Sequence, residues 1–506
     1  MKKILLAFIL IFLNDDLSAY TKDKVYQLTV LHTNDHHGAF WSNRDSEGGL
    51  AARATLIKKI KKEVLKQGGY TLLIDAGDVN TGTPQSNLLE AKADFLGMRQ
   101  LGYEAMTIGN HEFDKSQKIL KQQQKWAGFP FLSANIFKKD CKQNAFTPFM
   151  SKKRGPLTVT ILGLTTEESI VQSNPLNTSH YCFLPAIDVA KRLVPQLRKK
   201  SDILIALTHI GYAFDDSRPS GDSLLAREVE GIDLIVGGHS HSLLETPDIQ
   251  NKTPIVQVQD NGKYLGRVDL EFINGRTLVK KYEAISINKK DDIVRLAPDK
   301  KVLELLRPYY EKGNKYLLKE IGDTDEDFVG ERDIVRTQAT NLGQLITYAY
   351  REVYQADVAI VNSGGIRSSL KKGKITYEDV LKVLPFGGEV VLAELMGNEL
   401  RDYLEFVLIN MLPLSGGFPQ LIGAEAIVDP VIKKLSKLLI NGESIMSEKK
   451  YKIALPEFLA LGGDHYPKIN AKRYGKIDSI ILKDYIAKKK HLTSADFSLK
   501  NQSTAK

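Results

Sequence analysis

Aspartate, histidine and asparagine gather at five places in the first half of the chain: Asp35-His36-His37, Gly77-Asp78, Gly109-Asn110-His111-Glu112, Thr208-His209 and Gly238-His239-Ser240-His241. A lone histidine of this kind is ordinarily a hydrogen-bonded structural residue. Five clusters of imidazole, carboxylate and carboxamide form a donor set suited to divalent zinc, manganese, cobalt or iron, and the residue types do not choose among these metals. Metal-assisted hydrolysis is the chemistry such a set supports. A pair of ions would need one bridging carboxylate and otherwise terminal ligands.

Each cluster follows a short, apolar, β-prone run. Leu28–Leu31 precedes His32-Thr33-Asn34-Asp35, Thr71–Ile74 precedes Asp75-Ala76-Gly77-Asp78, and Ala105–Ile108 precedes Gly109-Asn110-His111. Ile203–Leu207 precedes Thr208-His209, and Leu234–Val236 precedes Gly237-Gly238-His239. From Val25 to about Ser286 these runs alternate with longer helical stretches, which predicts an α/β domain. Strands that all end in ligand-type side chains predict that the five clusters lie along one edge of the sheet, where α/β sites form. The run Lys58-Lys59-Ile60-Lys61-Lys62, with Leu56, Ile60 and Val64 at helical spacing, reads as the solvated face of an amphipathic helix.

Taken in order, the clusters resemble the metallophosphoesterase pattern: an aspartate and histidine two apart, a glycine-aspartate, an asparagine-histidine, a histidine and a closing glycine-histidine-x-histidine. The resemblance implies two metal ions, one held by Asp35, His37, Asp78 and His241 and the other by Asp78, Asn110, His209 and His239, so that Asp78 is the bridge. Two dications against two aspartates leave a positive centre for a phosphate. It also implies a catalytic pair, in which His111 stabilises charge on the transferring phosphoryl group or leaving oxygen. Asp114, one helical turn on, would orient and charge that imidazole. His36 alternates away from Asp35 and His37 in an extended segment and is not assigned as a ligand.

Around Asp299 to Lys319 the pattern turns helical, and Glu320 to Asp327 is acidic and contains a glycine, so 299–327 is assigned to an interdomain helix and hinge. It would join a first domain, 20–298, to a second α/β domain, 328–506. The second half resembles the nucleotide-binding domain of the 5′-nucleotidase / UDP-sugar hydrolase family at three places. These are Glu331–Arg336 with Asn362-Ser363-Gly364-Gly365-Ile366-Arg367, then Leu384-Pro385-Phe386-Gly387-Gly388, then Phe458 to Tyr466. The resemblance therefore runs along essentially the whole chain. It implies that Arg332, Arg336 and Arg367 grip substrate anions, that Phe386 and Phe458 sandwich the base, and that Asp464 lies near the nucleoside. The chain departs from the pattern at Ser363, which replaces a common glycine. Gly388 stands where some bacterial members have asparagine, and His241 where some relatives have glutamine or asparagine.

The implied activity is hydrolysis of nucleoside 5′-phosphates to nucleoside and orthophosphate by a two-metal hydroxide mechanism. Hydrolysis of UDP-sugars or dinucleotide pyrophosphates, or of 2′,3′-cyclic nucleotides, are the alternatives within the family. The remaining composition agrees. At 506 residues with 42% apolar content the chain exceeds what a single core holds, and its net charge of +9 mildly favours anionic substrates. There is no basic stripe interleaved with aromatics, so a nucleic-acid partner is not expected.

Lys2 and Lys3 ahead of the apolar run Ile4–Leu13, with a small residue at Ala19, predict a secretory signal peptide over 1–19 and a periplasmic or secreted product. No cysteine follows to carry a lipid and Ser494 to Lys506 is polar, so membrane attachment is not expected. Cys141 and Cys182 could pair in an oxidising compartment, a point the spacing leaves open. Oligomeric state is not legible.

Overall fold

The structure, a computed structural model, describes residues 20–497 apart from 44, 213–220, 412, 430–431 and 475. The expected signal peptide, 1–19, lies outside the described residues.

The first apolar run becomes the strand Tyr26–Thr33. On one side Tyr70–Asp75, Ala105–Thr107 and Phe131–Leu132 follow it in parallel, and on the other Tyr264–Ile273 and Arg276–Ser286 follow antiparallel, making six strands. A second six-stranded sheet has Leu157–Thr165, Ile203–His209, Leu234–Val236 and Thr253–Val256 in parallel, with Phe149–Arg154 and Asp248–Gln250 as antiparallel edges. Parallel strands this apolar must be covered on both faces. Leu28, Val30, Leu72 and Ile74 meet Ile161, Ile205, Leu207 and Val236 between the sheets. Outside the first sheet pack the helices Leu50–Lys66, Lys92–Leu101 and Gln117–Ala127. Outside the second pack Ala186–Arg198 and Gly221–Glu228. The lysine run lies on Leu50–Lys66 with Leu56, Ile60 and Val64 buried beneath it.

This layering corrects one expectation. The five clusters do not follow one sheet edge. Those after Tyr26–Thr33, Tyr70–Asp75 and Ala105–Thr107 leave the first sheet, and those after Ile203–His209 and Leu234–Val236 leave the second. An apolar run reports burial on both faces, not the sheet that takes it up. The carboxyl ends of the two sheets meet at the seam, where the amide of His239 donates to Asp35 Oδ1 at 3.1 Å.

Within 299–327, Asp299 caps the helix Lys300–Leu317 by accepting from the amide of Val302 at 3.2 Å. Val302 and Leu306 join the core outside the first sheet, and Tyr310 stacks on Trp41 with ring centroids 4.4 Å apart. Glu320–Thr324 is a strand of the second half, antiparallel to Gly373–Thr376 and parallel to His491–Leu492. Leu318 and Lys319 join the two. The second half is centred on a four-stranded sheet in the order Val390–Met396, Lys450–Pro456, Val358–Asn362, Pro419–Ile422. The helices Asn341–Tyr354 and Asp478–Lys489 cover one face and Gly397–Asn410 the other.

Cys141 and Cys182 form a disulfide with Cα atoms 5.4 Å apart. Among the described residues no helix is long and apolar enough to cross a membrane.

Candidate active site

All seven expected ligands converge at the seam between the sheets. Asp35, His37, Asp78, His239 and His241 have positive φ, from 48° to 79°. That backbone costs a non-glycine residue on the order of 1–3 kcal/mol and persists where the surroundings enforce it, commonly at functional sites. His241 Nε2 lies 3.1 Å from His37 Nε2 and 3.4 Å from Asp35 Oδ1. His209 Nε2 lies 3.0 Å from Asp78 Oδ2, and His239 Nδ1 lies 2.9 Å from Asn110 Oδ1. Donor atoms of Asp35, His37 and His241 fall within 4.8 Å of one another, and so do those of Asp78, His209 and His239. Asp78 makes a third such group with His37 and His111, as a bridge between two ions would.

The imidazoles are oriented from behind. His37 Nδ1 donates to the carbonyls of Asn80 and Thr81 at 3.1 and 2.8 Å, and His209 Nδ1 donates to the carbonyl of Ala76 at 2.6 Å. Carbonyls only accept, so the Nε2 lone pairs face the centre. His209 Nε2 is buried and faces Asp78 Oδ2, where a cation held by both would stand in place of the proton. The charges are divided. Burial, then the neighbouring imidazoles, pushes His37 down to about 4, and burial with His209 does the same to His239. For His209 and His241 burial acts downward too, but Asp78 lifts the first to about 10, and Asp35 with Asp260 lifts the second to about 9. His37 and His239 are thus neutral donors, while His209 and His241 hold, beside the two buried carboxylates, protons that a divalent cation would replace.

His111 forms the first turn of a short 3-10 helix, His111–Asp114, and its Nδ1 lies 2.7 Å from Asp114 Oδ2. Thr81 Oγ1 donates to that same oxygen at 2.6 Å. His111 Nε2 lies 4.0 Å from Asp78 Oδ2. Burial would lower this imidazole, but Asp114 and then Asp78 outweigh it and raise its pKa. His36 turns away from the centre to Asp94 Oδ1 at 3.2 Å and Arg53 Nη2 at 3.3 Å.

Two residues of the site carry roles that sequence reasoning did not assign. Glu112 is fully buried and accepts four backbone amides: Asp78 at 3.0 Å, Val79 at 2.9 Å, Asn80 at 3.2 Å and Gly109 at 2.8 Å. It fastens the Asp78 loop to the Gly109 loop. Gly109 is required there, because a Cβ would stand 2.1 Å from Asp78 Oδ1. Asp260 Oδ2 accepts from His241 Nδ1 at 3.1 Å. It follows the strand Thr253–Val256, the parallel neighbour of Leu234–Val236, so it sits after a sixth strand end with the same signature of an apolar run before polar residues.

The second half faces this centre across one cavity of about 540 Å³, lined by Asp78, Asn110, His111, Asp114, His239 and His241 on one side. Arg332, Arg336, Arg367, Phe386, Phe458 and Asp464 line the other. Phe386 stacks on His111 with centroids 5.7 Å apart, and Arg367 lies 5.7 Å over the Phe386 ring. Burial, then Arg332 and Arg367, lowers Arg336 to about 10, so three cations crowd where an anion would relieve them. Asp464 accepts from Asn362 Nδ2 at 2.7 Å. Phe458 packs so closely that a Cβ on Gly463 would lie 2.4 Å from its ring.

Comparison with known proteins follows the same division. Residues 28–243 match the calcineurin-like phosphoesterase family model, and residues 320–471 match the 5′-nucleotidase C-terminal domain. Protein UshA of Yersinia enterocolitica is 40% identical over 96% of this chain and 95% of its own. A 5′-nucleotidase of Vibrio cholerae is 39% identical over 92% of this chain and 91% of its own. The chain belongs to the 5′-nucleotidase family of two-domain metallophosphoesterases. Among solved structures, a 5′-nucleotidase precursor of Thermus thermophilus superposes with a TM-score of 0.78 at 29% identity, covering 95% of this chain and 99% of its own. As a member of that family the protein is a metal-dependent phosphoric ester hydrolase, and the family implies divalent metal ions. The seven expected ligands, His111 and Asp114 fall within 28–243, and the six expected substrate residues within 320–471.

Proposed function

We propose that the chain is a secreted or periplasmic 5′-nucleotidase that releases orthophosphate from nucleoside 5′-phosphates with the help of two divalent ions. The observation that carries this reading is one cavity bounded by the Asp/His cluster on one domain and by three arginines and two phenylalanines on the other. Asp35, His37, Asp78 and His241 would hold one ion, and Asp78, Asn110, His209 and His239 the other. Bound there, the ions supply Lewis acidity that activates water and offsets phosphoryl charge. Arg332, Arg336 and Arg367 bind the phosphate oxygens as bidentate donors. His111, kept charged by Asp114, faces the oxygen that gains charge as the ester bond breaks. Phe386 and Phe458 stack on the base, and Asp464 accepts from the ribose. The N-terminal segment 1–19 directs export.

A substrate panel tests this reading. Replacing Phe386 or Phe458 by alanine removes stacking worth roughly 1–3 kcal/mol, about 5- to 150-fold. The loss should appear mainly in the KM for AMP, because stacking is present in ground and transition states alike. Glycerol phosphate never makes that contact, so equal losses on both substrates by a folded, metal-loaded variant would return the two rings to the core.

A second cavity, of about 840 Å³, meets the same centre at His37, His111 and His241 and carries Trp41 and Tyr310 on its wall. That room beyond the reacting phosphate favours, as a second reading, cleavage of UDP-sugars or dinucleotide pyrophosphates. UDP-glucose and NAD belong in the panel for that reason.

A further inference from the structure

The wall of the cavity near Phe386 includes two polar side chains with no part in the reading above, Tyr350 and Asp478. Tyr350 lies on the helix Asn341–Tyr354, in the core with Val361 and Leu384, which also line the cavity. It is fully buried and its hydroxyl has no hydrogen-bond partner among the described residues. A buried hydroxyl without a partner is uncommon, because desolvation is not offset. Asp478 opens the helix Asp478–Lys489, and its amide donates to the carbonyl of Gly388 at 3.0 Å, which sets it directly against the Phe386-Gly387-Gly388 turn. One carboxylate oxygen accepts from the amide of Ser479 at 2.5 Å. The other, Oδ2, is the atom nearest, among the described residues beyond the chain neighbours, to where a Cβ on Gly388 would stand, at 4.0 Å, and a Cβ on Gly387 would meet none within 4 Å. The two glycines leave open space beside the Phe386 ring, and Asp478 Oδ2 borders it. Asp478 is close enough to Tyr350 to add to the effect of burial in raising the phenol pKa.

We propose that Asp478 and Tyr350 read the edge of the nucleobase held by Phe386 and Phe458, and that the pair selects adenine and cytosine over bases with a carbonyl in place of their amino group. The proposal rests on the nucleotidase reading. An apolar slot with a few convergent polar groups is how ligand sites fix orientation. Adenine and cytosine offer an amino N–H to a carboxylate next to a ring nitrogen that accepts from a hydroxyl. Hypoxanthine and uracil put a carbonyl oxygen where the amino group was, and a carboxylate repels it. Burial pushes the Asp478 carboxyl up to about 7, so at pH 8 it is ionised and only accepts.

The test compares metal-loaded wild type, Asp478→Asn and Tyr350→Phe at pH 8 on AMP, IMP, CMP, UMP and ribose 5-phosphate. The wild type should favour AMP over IMP and CMP over UMP by roughly tenfold in kcat/KM. Asp478→Asn, able to donate to a carbonyl, should erase most of that preference. Tyr350→Phe should raise the KM for AMP relative to that for ribose 5-phosphate, while the unfolding midpoint of the free protein does not fall, since the hydroxyl removed had no partner. A purely structural tyrosine would leave that KM ratio unmoved. Unchanged AMP:IMP and CMP:UMP ratios in Asp478→Asn would overturn the proposal, and so would an unchanged AMP:ribose 5-phosphate ratio in Tyr350→Phe, which decides the matter alone if the other variant does not fold. Failure of the nucleotidase reading looks different: wild type would use ribose 5-phosphate as well as AMP, and the phenylalanine variants would not alter that ratio.

Discussion

Asp78 meets three demands at once. Its backbone is left-handed at φ 57°, its carboxylate reaches His209, and its amide is held by Glu112. Asp78→Asn keeps the shape and removes the carboxylate charge, so on the proposed bridging role we expect loss of activity on every phosphoester together with loss of bound metal. Elemental analysis beside turnover checks this, and near-normal turnover with a full metal complement would contradict a bridging role. Asp260 acts one bond further out. A carboxylate behind a metal-binding imidazole fixes its tautomer and raises its donor strength, and losing one typically costs 10–100-fold, roughly, in metal affinity. Asp260→Asn should therefore release metal to a chelator at lower concentration than wild type, with Asp260→Glu recovering part of the difference. Equal retention in all three proteins would make the His241–Asp260 contact incidental.

At the scale of elements, the helix Gly221–Glu228 carries Asp222 into the core, where Thr208 Oγ1 donates to Oδ1 at 2.6 Å and Oδ2 has no partner. Burial pushes this carboxyl up to about 8, against about 3.9 for an unfolded aspartate. Between those values the folded chain keeps a proton that the unfolded chain has lost. Stability must then fall as pH rises from about 4 to about 8 and level off above. Asp222→Asn removes that titration. In thermal unfolding across a pH series, its midpoint should exceed that of the wild type most at pH 8.5, with the gap closing toward pH 4. A gap that widens toward acid would mean the native carboxyl is ionised.

The molecule as a whole divides its chemistry between two domains. The helix Lys300–Leu317 is packed on the first, the strand Glu320–Thr324 is paired into the second, and two residues join them. Across the divide Gln85 Nε2 donates to Glu378 Oε1 at 2.9 Å, and Asn87 Nδ2 donates to the carbonyl of Pro385 at 3.0 Å. Contacts between domains of one chain commonly permit relative motion, and opening often limits turnover. A cross-link between Gln85→Cys and Glu378→Cys should lower kcat, with the two single-cysteine proteins as controls. The chain's own two cysteines are already paired with each other. Unchanged kinetics in a verified cross-linked enzyme would argue for a site that works closed.

The sequence by itself determined the strand-end clusters, the amphipathic helix Leu50–Lys66 and the family, because each is written in residues close along the chain. His111 and Asp114 lie one turn apart, so a single helical turn brings that pair together, whereas Asp35 and His37, two apart, meet over left-handed backbone that the surrounding fold enforces. The tertiary structure alone decided that the clusters come from two sheets, since a buried run is equally apolar in either. It decided the pairing of Cys141 with Cys182, which needs the turn after the strand Ile136–Lys138 set beside the strand Tyr181–Phe183. It also decided what Asp260, Glu112, Tyr350 and Asp478 face. The partners of those four, His241, the Asp78 loop and the space beside Gly388, lie far from most of them in sequence or depend on burial. Hydrogen bonding and desolvation act through space, and only the folded chain sets those distances.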